Sequence, residues 1–378
     1  MSTLKTIALL VYSLAALSQA SAQDAGRTGG IADSAPASAI VQAAREAARA
    51  DRHQEAAALF DKAIRLAPQR RDELVLEYAD QLTYSGKPAD AIPLYEEAQE
   101  RTARTPDDRH RARKGLGLAL LWTDQPTRAR PIYEELARQQ PDDPDVQRSL
   151  ARALSWSGRQ REAIGHLQSY LARHPDDREA QVQLAQAQVW MGRNDLAAQT
   201  LAGVPSSRED AAKVRAELGH ELAPKTLVDT QISHQSDNLD IKGLRLAQLF
   251  PFNQGRGMVG ARLDRIDYEQ TDGVGRARAT RPMALGRYRF SNAVELNAEV
   301  GRERIEPSGG PVSQPTVYAT WLTLWPDDVL RVDISANRNT LDNLLSLRQG
   351  LTTQRQGLSA DLRPSERERY TVRLERAS

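Results

Sequence analysis

Apolar positions between residues 37 and 206 recur at helical spacing, and the pattern itself repeats. Small residues fall at Ala56, Ala91, Ala129, Ala163 and Ala197. Four positions after each stands a larger apolar residue: Phe60, Tyr95, Tyr133, Leu167 and Leu201. The step is about 34 residues with one longer interval, which is the period of stacked helical hairpins. Gly86, Gly158 and Gly192 stand where a first helix must stop, and glycine takes the turn conformation at little cost. Pro68, Pro141 and Pro175 end second helices, since proline cannot continue one. Five hairpins are predicted, each burying its apolar face against its neighbours. The charged helical stretch from Arg208 to Leu222 reads as their capping helix.

Ala223-Pro224 breaks this pattern, and from Thr226 the period changes to two. Leu330, Val332, Ile334 and Ala336 alternate with Arg331, Asp333, Ser335 and Asn337. Val294, Leu296, Ala298 and Val300 alternate with Glu295, Asn297 and Glu299. The runs around Leu358-Leu362 and Tyr370-Leu374 do the same. Period two predicts strands, and turn clusters such as Asn253-Gln254-Gly255, Ser308-Gly309-Gly310 and Pro326-Asp327-Asp328 separate them. About nine strands are visible. A soluble sandwich would turn the apolar face inward, whereas a membrane barrel would turn it to lipid and enclose the charges. Runs of about ten residues match a tilted membrane-spanning strand. Tyr288, Phe290, Tyr318, Trp325 and Tyr370 fall near strand ends, as interfacial aromatics do, although Trp321 is mid-strand. The barrel is the expected form.

The start of the chain agrees with export. Lys5, the apolar run Thr6 to Leu17 and Ala20-Ser21-Ala22 have the order of a secretory signal, with the cleavage site before Gln23. Gln23 to Pro36 reads as a flexible lead-in. The expected organisation is a signal over 1–22, a lead-in over 23–36, a repeat domain over 37–222 and a barrel-like domain over 223–378. The 378 residues contain no cysteine, which excludes disulfides, and a net charge of +1 gives no general attraction for nucleic acid.

The repeated turn sharpens the picture. Leu154-Ser155-Trp156-Ser157-Gly158-Arg159 is followed by Glu162-Ala163, with related copies around Tyr84, Trp122 and Trp190. These residues make 37–206 resemble the tetratricopeptide repeat family, although its usual early tryptophan is absent and the aromatics sit late in the first helix. Signal, repeats and strand-rich half together resemble outer-membrane exopolysaccharide secretion proteins, such as the poly-N-acetylglucosamine exporter, the C subunit of bacterial cellulose synthase and YaiO-type barrel proteins. The resemblance implies an α-solenoid in the periplasm, followed by an antiparallel outer-membrane β-barrel. It implies as partners the envelope proteins of a polysaccharide synthesis and secretion system, or the glycan itself. The chain departs from it in its strand number and in ending Leu374-Glu375-Arg376-Ala377-Ser378 without a terminal aromatic, which predicts either a small barrel or a truncated one.

By register, first helices place Asp80, Tyr84, Arg111, Lys114, Trp122, Arg148, Arg152, Trp156, Gln183, Gln186 and Trp190 on a groove face suited to a peptide or a sugar chain. In the last repeat Val182 matches Arg148, so Gln183 carries that face. In the barrel reading Glu295, Glu299, Arg331, Asp333, Asp361, Arg373 and Glu375 face the lumen. The six histidines (His53, His110, His166, His174, His220 and His234) are scattered without metal-ligand spacing. No phosphate-binding glycine loop or nucleophile-elbow serine occurs. The chain therefore reads as non-enzymatic, with no cofactor. Transport of exopolysaccharide, an envelope scaffold anchored by a small barrel, and a soluble periplasmic scaffold are the competing functions. The signal predicts that the exported protein begins at Gln23. Its intact mass checks this, and retention of Lys5 would contradict it.

Overall fold

In the computed structural model, residues 37–100, 105–235, 238–270, 275–341, 343–364 and 368–378 are described. The signal and the lead-in lie outside them. The first helix of each hairpin is α1 (Ala37–Arg49), α3 (Arg71–Tyr84), α5 (Pro106–Trp122), α7 (Pro144–Trp156) and α9 (Arg178–Trp190). The second is α2 (His53–Leu66), α4 (Pro88–Glu100), α6 (Pro126–Gln139), α8 (Gln160–Arg173) and α10 (Asn194–Leu201), and α11 (Glu209–Glu221) follows. No described helix is long and apolar enough to cross a membrane. The chain divides into two compact units between Ser157 and Gly158.

In the first unit the hairpins are built as the repeat demands. Ala56, Ala91 and Ala129 are fully buried, and Phe60, Tyr95 and Tyr133 nearly so. The tyrosines need more room than an alanine-lined contact offers, and α5 supplies it with two glycines. A methyl group on Gly117 would stand 2.7 Å from the Tyr133 ring, and one on Gly115 would meet the Tyr95 ring. Each turn places one residue in the left-handed region: Asp51, Gly86, Asp124, Gly158 and Gly192. The following amide bonds back to the last turn, as in Lys87 N–H to the Leu82 carbonyl at 2.9 Å and Gln125 N–H to the Leu120 carbonyl at 2.8 Å. Aspartate tolerates this conformation, so two of the five turns dispense with glycine.

The second unit holds α8 to α11 and the strands. Ala211, Val214 and Leu218 of α11 cover an apolar surface made by Val182, Ala185 and Val189 with Ala197, Leu201 and Val204. The strands are β1 (Lys225–His234), β2 (Leu239–Phe252), β3 (Gly257–Gln270), β4 (Arg276–Arg289), β5 (Val294–Arg302), β6 (Arg304–Pro307), β7 (Thr316–Leu324), β8 (Leu330–Thr340), β9 (Thr352–Leu362) and β10 (Tyr370–Ala377). They form one meander in chain order, and every pairing is antiparallel. β6 continues β5 past Glu303, and both pair with β4.

The sheet is open where a closed barrel is expected. Among the described residues β1 pairs only with β2 and β10 only with β9. The reason is geometric. The path β1-β2-β3-β4-β5-β7-β8-β9-β10 has an odd number of positions that alternate in direction. Its two outermost strands therefore run the same way and cannot pair antiparallel with each other.

One end of the sheet is tied to α8 and α9. The Asp328 carboxylate, in the turn between β7 and β8, accepts the Arg161 and Glu162 amides at 2.9 and 3.2 Å. It thus caps the N-terminus of α8, which has no side-chain cap of its own. Arg289 donates to the Met191 carbonyl at the C-terminus of α9, a cation at the negative end of the helix. Arg193 reaches Asn292 Oδ1 at 2.6 Å. Replacing Asp328 by alanine should cost about 1 kcal/mol, the usual worth of a cap. Hydrogen exchange at the Arg161 and Glu162 amides should accelerate; unchanged protection there would contradict the capping role.

Candidate functional site

Two surfaces collect the residues that the sequence singles out. The first is the face carried by the first helices of the repeats. In the first unit its charges are paired from one repeat to the next. Arg45 is bidentate to Glu77, with contacts of 2.9 and 2.7 Å. Asp80 accepts from Arg111, and the Tyr95 hydroxyl donates to Asp80 at 2.7 Å. Lys114 lies 3.0 Å from Asp143 and 3.4 Å from Asp145, while Arg148 holds Asp145 at 2.7 Å. Burial raises the Asp80 carboxyl above its ordinary value, with Arg111 and Tyr95 opposing. Burial also pushes the Tyr133 hydroxyl up to about 12. The predicted groove charges thus serve first as bridges between repeats.

The aromatics of the same face are more available. His53 and Tyr84 have ring centroids 5.3 Å apart, and Tyr84 meets Trp122 edge-on at 6.3 Å. Tyr84 is half exposed, and Trp122 and Trp190 are also open to solvent. Trp156 is covered on one side by the Arg152 guanidinium at 5.9 Å. In the second unit Gln186 donates to Glu217 at 2.7 Å, and Gln183 is half-buried beside the buried Val182. Sequence register did not find His53, because it belongs to a second helix and matches no aromatic in the later copies.

The second surface is one face of the sheet. Register puts all seven predicted lumen residues on it. Glu295 stands opposite Arg289 and Thr323, and Glu299 is four residues on. Thr323 is opposite Asp333, and Arg331 is opposite Asp361. Arg373 and Glu375 face Ser359 and Gly357. This face is densely ion-paired. Arg289–Glu295 is 2.7 Å and Arg262–Glu299 is 2.9 Å. Arg245 and Arg262 converge on the buried Asp264 at 3.2 and 3.1 Å. Glu303 is fully buried, held by Arg281 at 2.7 Å and by the Thr340 hydroxyl at 2.6 Å. Arg262, Asp264, Arg281 and Glu303 escaped the sequence reading because their runs alternate less cleanly. Trp321, considered for an interfacial girdle, stands opposite Asn297 and Ser335 on this charged face.

The opposite face carries the apolar residues, and they are exposed: Leu246, Leu263, Val300, Ile334 and Leu358 among them. Phe252, Tyr288 and Phe290 cluster on it at the end nearest α8 and α9, with centroids 5.8 and 5.0 Å apart. At the other end of the charged face, a short helix in the β8–β9 connection, α12 (Leu344–Gln349), buries Leu347 against Leu239, Ile241, Tyr268, Ala277, Ala279 and Ile305.

The tetratricopeptide repeat family model matches residues 82–153 and 157–218, so this part of the chain is built of tetratricopeptide repeats, and such repeats suggest protein–protein interaction. No curated protein matches the chain. Similar solved structures include YrrB, a TPR protein with an unusual peptide-binding site, at 16% identity over 48% of this chain and 89% of that one, TM-score 0.37. MamA 41-end from Desulfovibrio magneticus RS-1 is 16% identical over 50% of this chain and 98% of its own, TM-score 0.39. MamA AMB-1 is 19% identical over 48% and 92%, TM-score 0.37.

Asp143 links the first surface to its scaffold, since it also caps α7 through the Asp145 and Val146 amides. Burial works against its charge, yet the Lys114 bond and these amides hold its carboxyl below the ordinary range. A depressed value means stabilisation that is present above the unfolded-state value and lost as pH falls through the folded one. Asp143→Ala should cost about 1 kcal/mol at neutral pH. Denaturant unfolding should show the difference from wild type narrowing below about pH 4; a constant difference would contradict it.

Proposed function

We propose that this chain is a non-enzymatic outer-membrane protein. The sheet forms the wall of a barrel, and the repeats stand in the periplasm and bind partners of an exopolysaccharide secretion system. The observation that carries this reading is the inverted polarity of the sheet. A soluble sheet hides its apolar side chains and wets its charges. Here Leu246, Leu263, Val300 and Ile334 are open while Asp264 and Glu303 are buried in ion pairs. Lipid outside and a polar interior suit that arrangement. The placement of the connections supports it too. The longest, residues 308–315 and 341–351, lie at the end away from α8 and α9, as the outer loops of such barrels do. Phe252, Tyr288 and Phe290 form an interfacial aromatic group at the near end.

The partners follow from the open aromatics of the repeats. Tyr84 and Trp122 offer ring faces to a sugar chain or to a peptide, and the surrounding charges, already bridged, add polar contacts around them. The resemblance of the Trp-Ser-Gly-Arg turns to those of glycan exporters favours the glycan and its synthase proteins. A second reading, an envelope scaffold anchored by the barrel, is favoured by α12, which seals one end of the charged face.

Membrane fractionation tests the wall. The wild-type chain should sediment with outer membranes. Val332→Arg, on the apolar face, should lower the stability of the inserted protein by roughly 2–4 kcal/mol if that residue lies near the midplane. Recovery of the chain as a detergent-free soluble monomer would overturn the reading.

A further inference from the structure

We propose that the apolar face of the sheet ends, on the side away from α8 and α9, in a belt of cations that binds the phosphate groups of a phosphorylated glycolipid of the lipopolysaccharide class. The proposal rests on the barrel reading above and adds the lipid that adjoins the wall and the leaflet that holds it. Three observations carry it.

The first is where the cations stand. Strand side chains alternate, so the apolar face can be followed along each strand towards its far end. On five strands that face turns from apolar to basic. Lys242 follows Leu244 on β2, and Arg265 follows Leu263 on β3. Arg302 follows Val300 on β5, and Arg338 follows Ala336 on β8. On β4 Thr280 stands between Pro282 and Arg278. The first charge met is positive on each of the five. The carboxylates of this face, Asp240, Asp267, Glu269 and Glu306, lie further out. An edge that was merely solvated would not sort its charges by sign. The other end of the same face carries aromatics instead: Phe252, Tyr288 and Phe290.

The second is the line these cations draw. Backbone pairing sets Gln248, Ala261, Ala284, Val300, Tyr318 and Arg338 in one row across β2, β3, β4, β5, β7 and β8. Arg338 is in that row, whereas Lys242 lies six residues beyond it on β2. Six residues of rise over five strand spacings incline the line by about 40° to the row. Strands of outer-membrane barrels are tilted by about 35–45°. A boundary level with the membrane plane crosses tilted strands with this slope. The near edge of the apolar face shifts in the same sense. Phe252 shares a row with Ile334, and on β8 the face continues past it to Val332 and Leu330.

The third is the charge left over. Asp267 is shared by Arg278 at 2.7 Å and Arg265 at 3.6 Å. Further out, Arg304 holds Glu306 at 2.8 Å, Arg276 holds Glu269 at 2.7 Å, and His234 lies 2.7 Å from Asp240. Lys242 and Arg302 are exposed and have no ion pair among the described residues. Long basic side chains at the edge of an apolar band extend their heads to the level of lipid headgroups. Basic clusters placed there recognise phosphorylated lipids, and the guanidinium fork matches phosphate. A lipid whose chains lie on Leu244, Leu263 and Val300 brings its phosphates to Lys242, Arg265 and Arg302. A soluble acidic protein would meet the cations but not the apolar surface continuous with them. With the repeats in the periplasm, this edge faces the outer leaflet, whose phosphorylated lipid is the glycolipid.

The test titrates the full chain, purified from the membrane fraction in nonionic detergent, with bisphosphorylated lipid A and with the same lipid stripped of its phosphates. Wild type should bind the phosphorylated form at least about tenfold more tightly, since each cation at a headgroup is worth about fivefold. Lys242→Gln/Arg302→Gln should weaken that binding by at least about tenfold. Arg355→Gln removes an exposed cation from the opposite face and should change it by less than about twofold. Inorganic phosphate should not displace the lipid. Equal binding of the two lipids by wild type would overturn the proposal without recourse to any variant. Unchanged binding by the double variant, or an equal loss in Arg355→Gln, would overturn it too. Displacement by inorganic phosphate would reveal a simple anion site and likewise overturn it. Fractionation keeps the two readings apart. A chain that sediments with outer membranes yet ignores the phosphates removes the belt and leaves the wall standing. A chain recovered soluble without detergent removes the wall and the belt with it.

Discussion

Glu303 and Arg281 illustrate the constraint on which the strand-rich half depends. A carboxylate buried without a partner would be too costly to keep. Glu303 is fully buried and survives because Arg281 and Thr340 satisfy it from β4 and β8. Glu295 is held likewise by Arg289, and Arg245 and Arg262 both meet Oδ1 of the buried Asp264, whose Oδ2 has no hydrogen-bond partner among the described residues. Once one face of the sheet is committed to such pairs, the other must carry the apolar residues, because strand side chains alternate. The strands hold together through their backbone ladders and their ion-paired face. The apolar face is left exposed.

The same economy of partners joins helices to strands in the second unit. The turn after β7 offers Asp328 to the bare N-terminus of α8, and the end of β4 offers Arg289 to the C-terminus of α9. The two charges have the signs that the two helix ends require. Arg289 also belongs to the ion pairs of the charged face, through Glu295, and lies over Trp325 at 5.1 Å. One side chain therefore contacts both the end of α9 and the charged face of the sheet.

Much of this was legible in the sequence. The alanines at 56, 91, 129, 163 and 197 and their bulky followers declare the repeats because each hairpin repeats one packing problem. Period two declared the strands, and alternation alone placed Glu295, Asp333, Arg373 and their companions on a shared face. What was hidden depends on residues distant in sequence. Asp328 looked like a turn former, and nothing nearby marks Arg161, 167 positions earlier, as its partner. Gly115 and Gly117 looked like poor helix residues, and only the rings of Tyr95 and Tyr133 explain them. Periodicity set the groove charges Asp80, Arg111 and Lys114 on first helices, but it could not reveal that Arg111 pairs with Asp80 and Lys114 with Asp143 of neighbouring repeats. Closure was misjudged for a related reason: strand count is local, whereas the direction of the last strand relative to the first is a property of the whole path.

The ion pairs bear on what a completed wall could contain. Arg289–Glu295 and Thr323–Asp333 join adjacent strands, and Arg262–Glu299 and Glu303–Thr340 reach only one strand further along the sheet. These contacts run along the surface of the sheet, so these charges are paired without reaching across an interior. In a narrow barrel, opposite walls touch and side chains fill the space; with many more strands an aqueous channel opens. A face whose charges depended on the opposite wall would fix the barrel at the narrow size, because widening would strand them. A face already neutralised within itself carries no such restriction. At the far end of that surface Leu347 of α12 sits on an apolar patch.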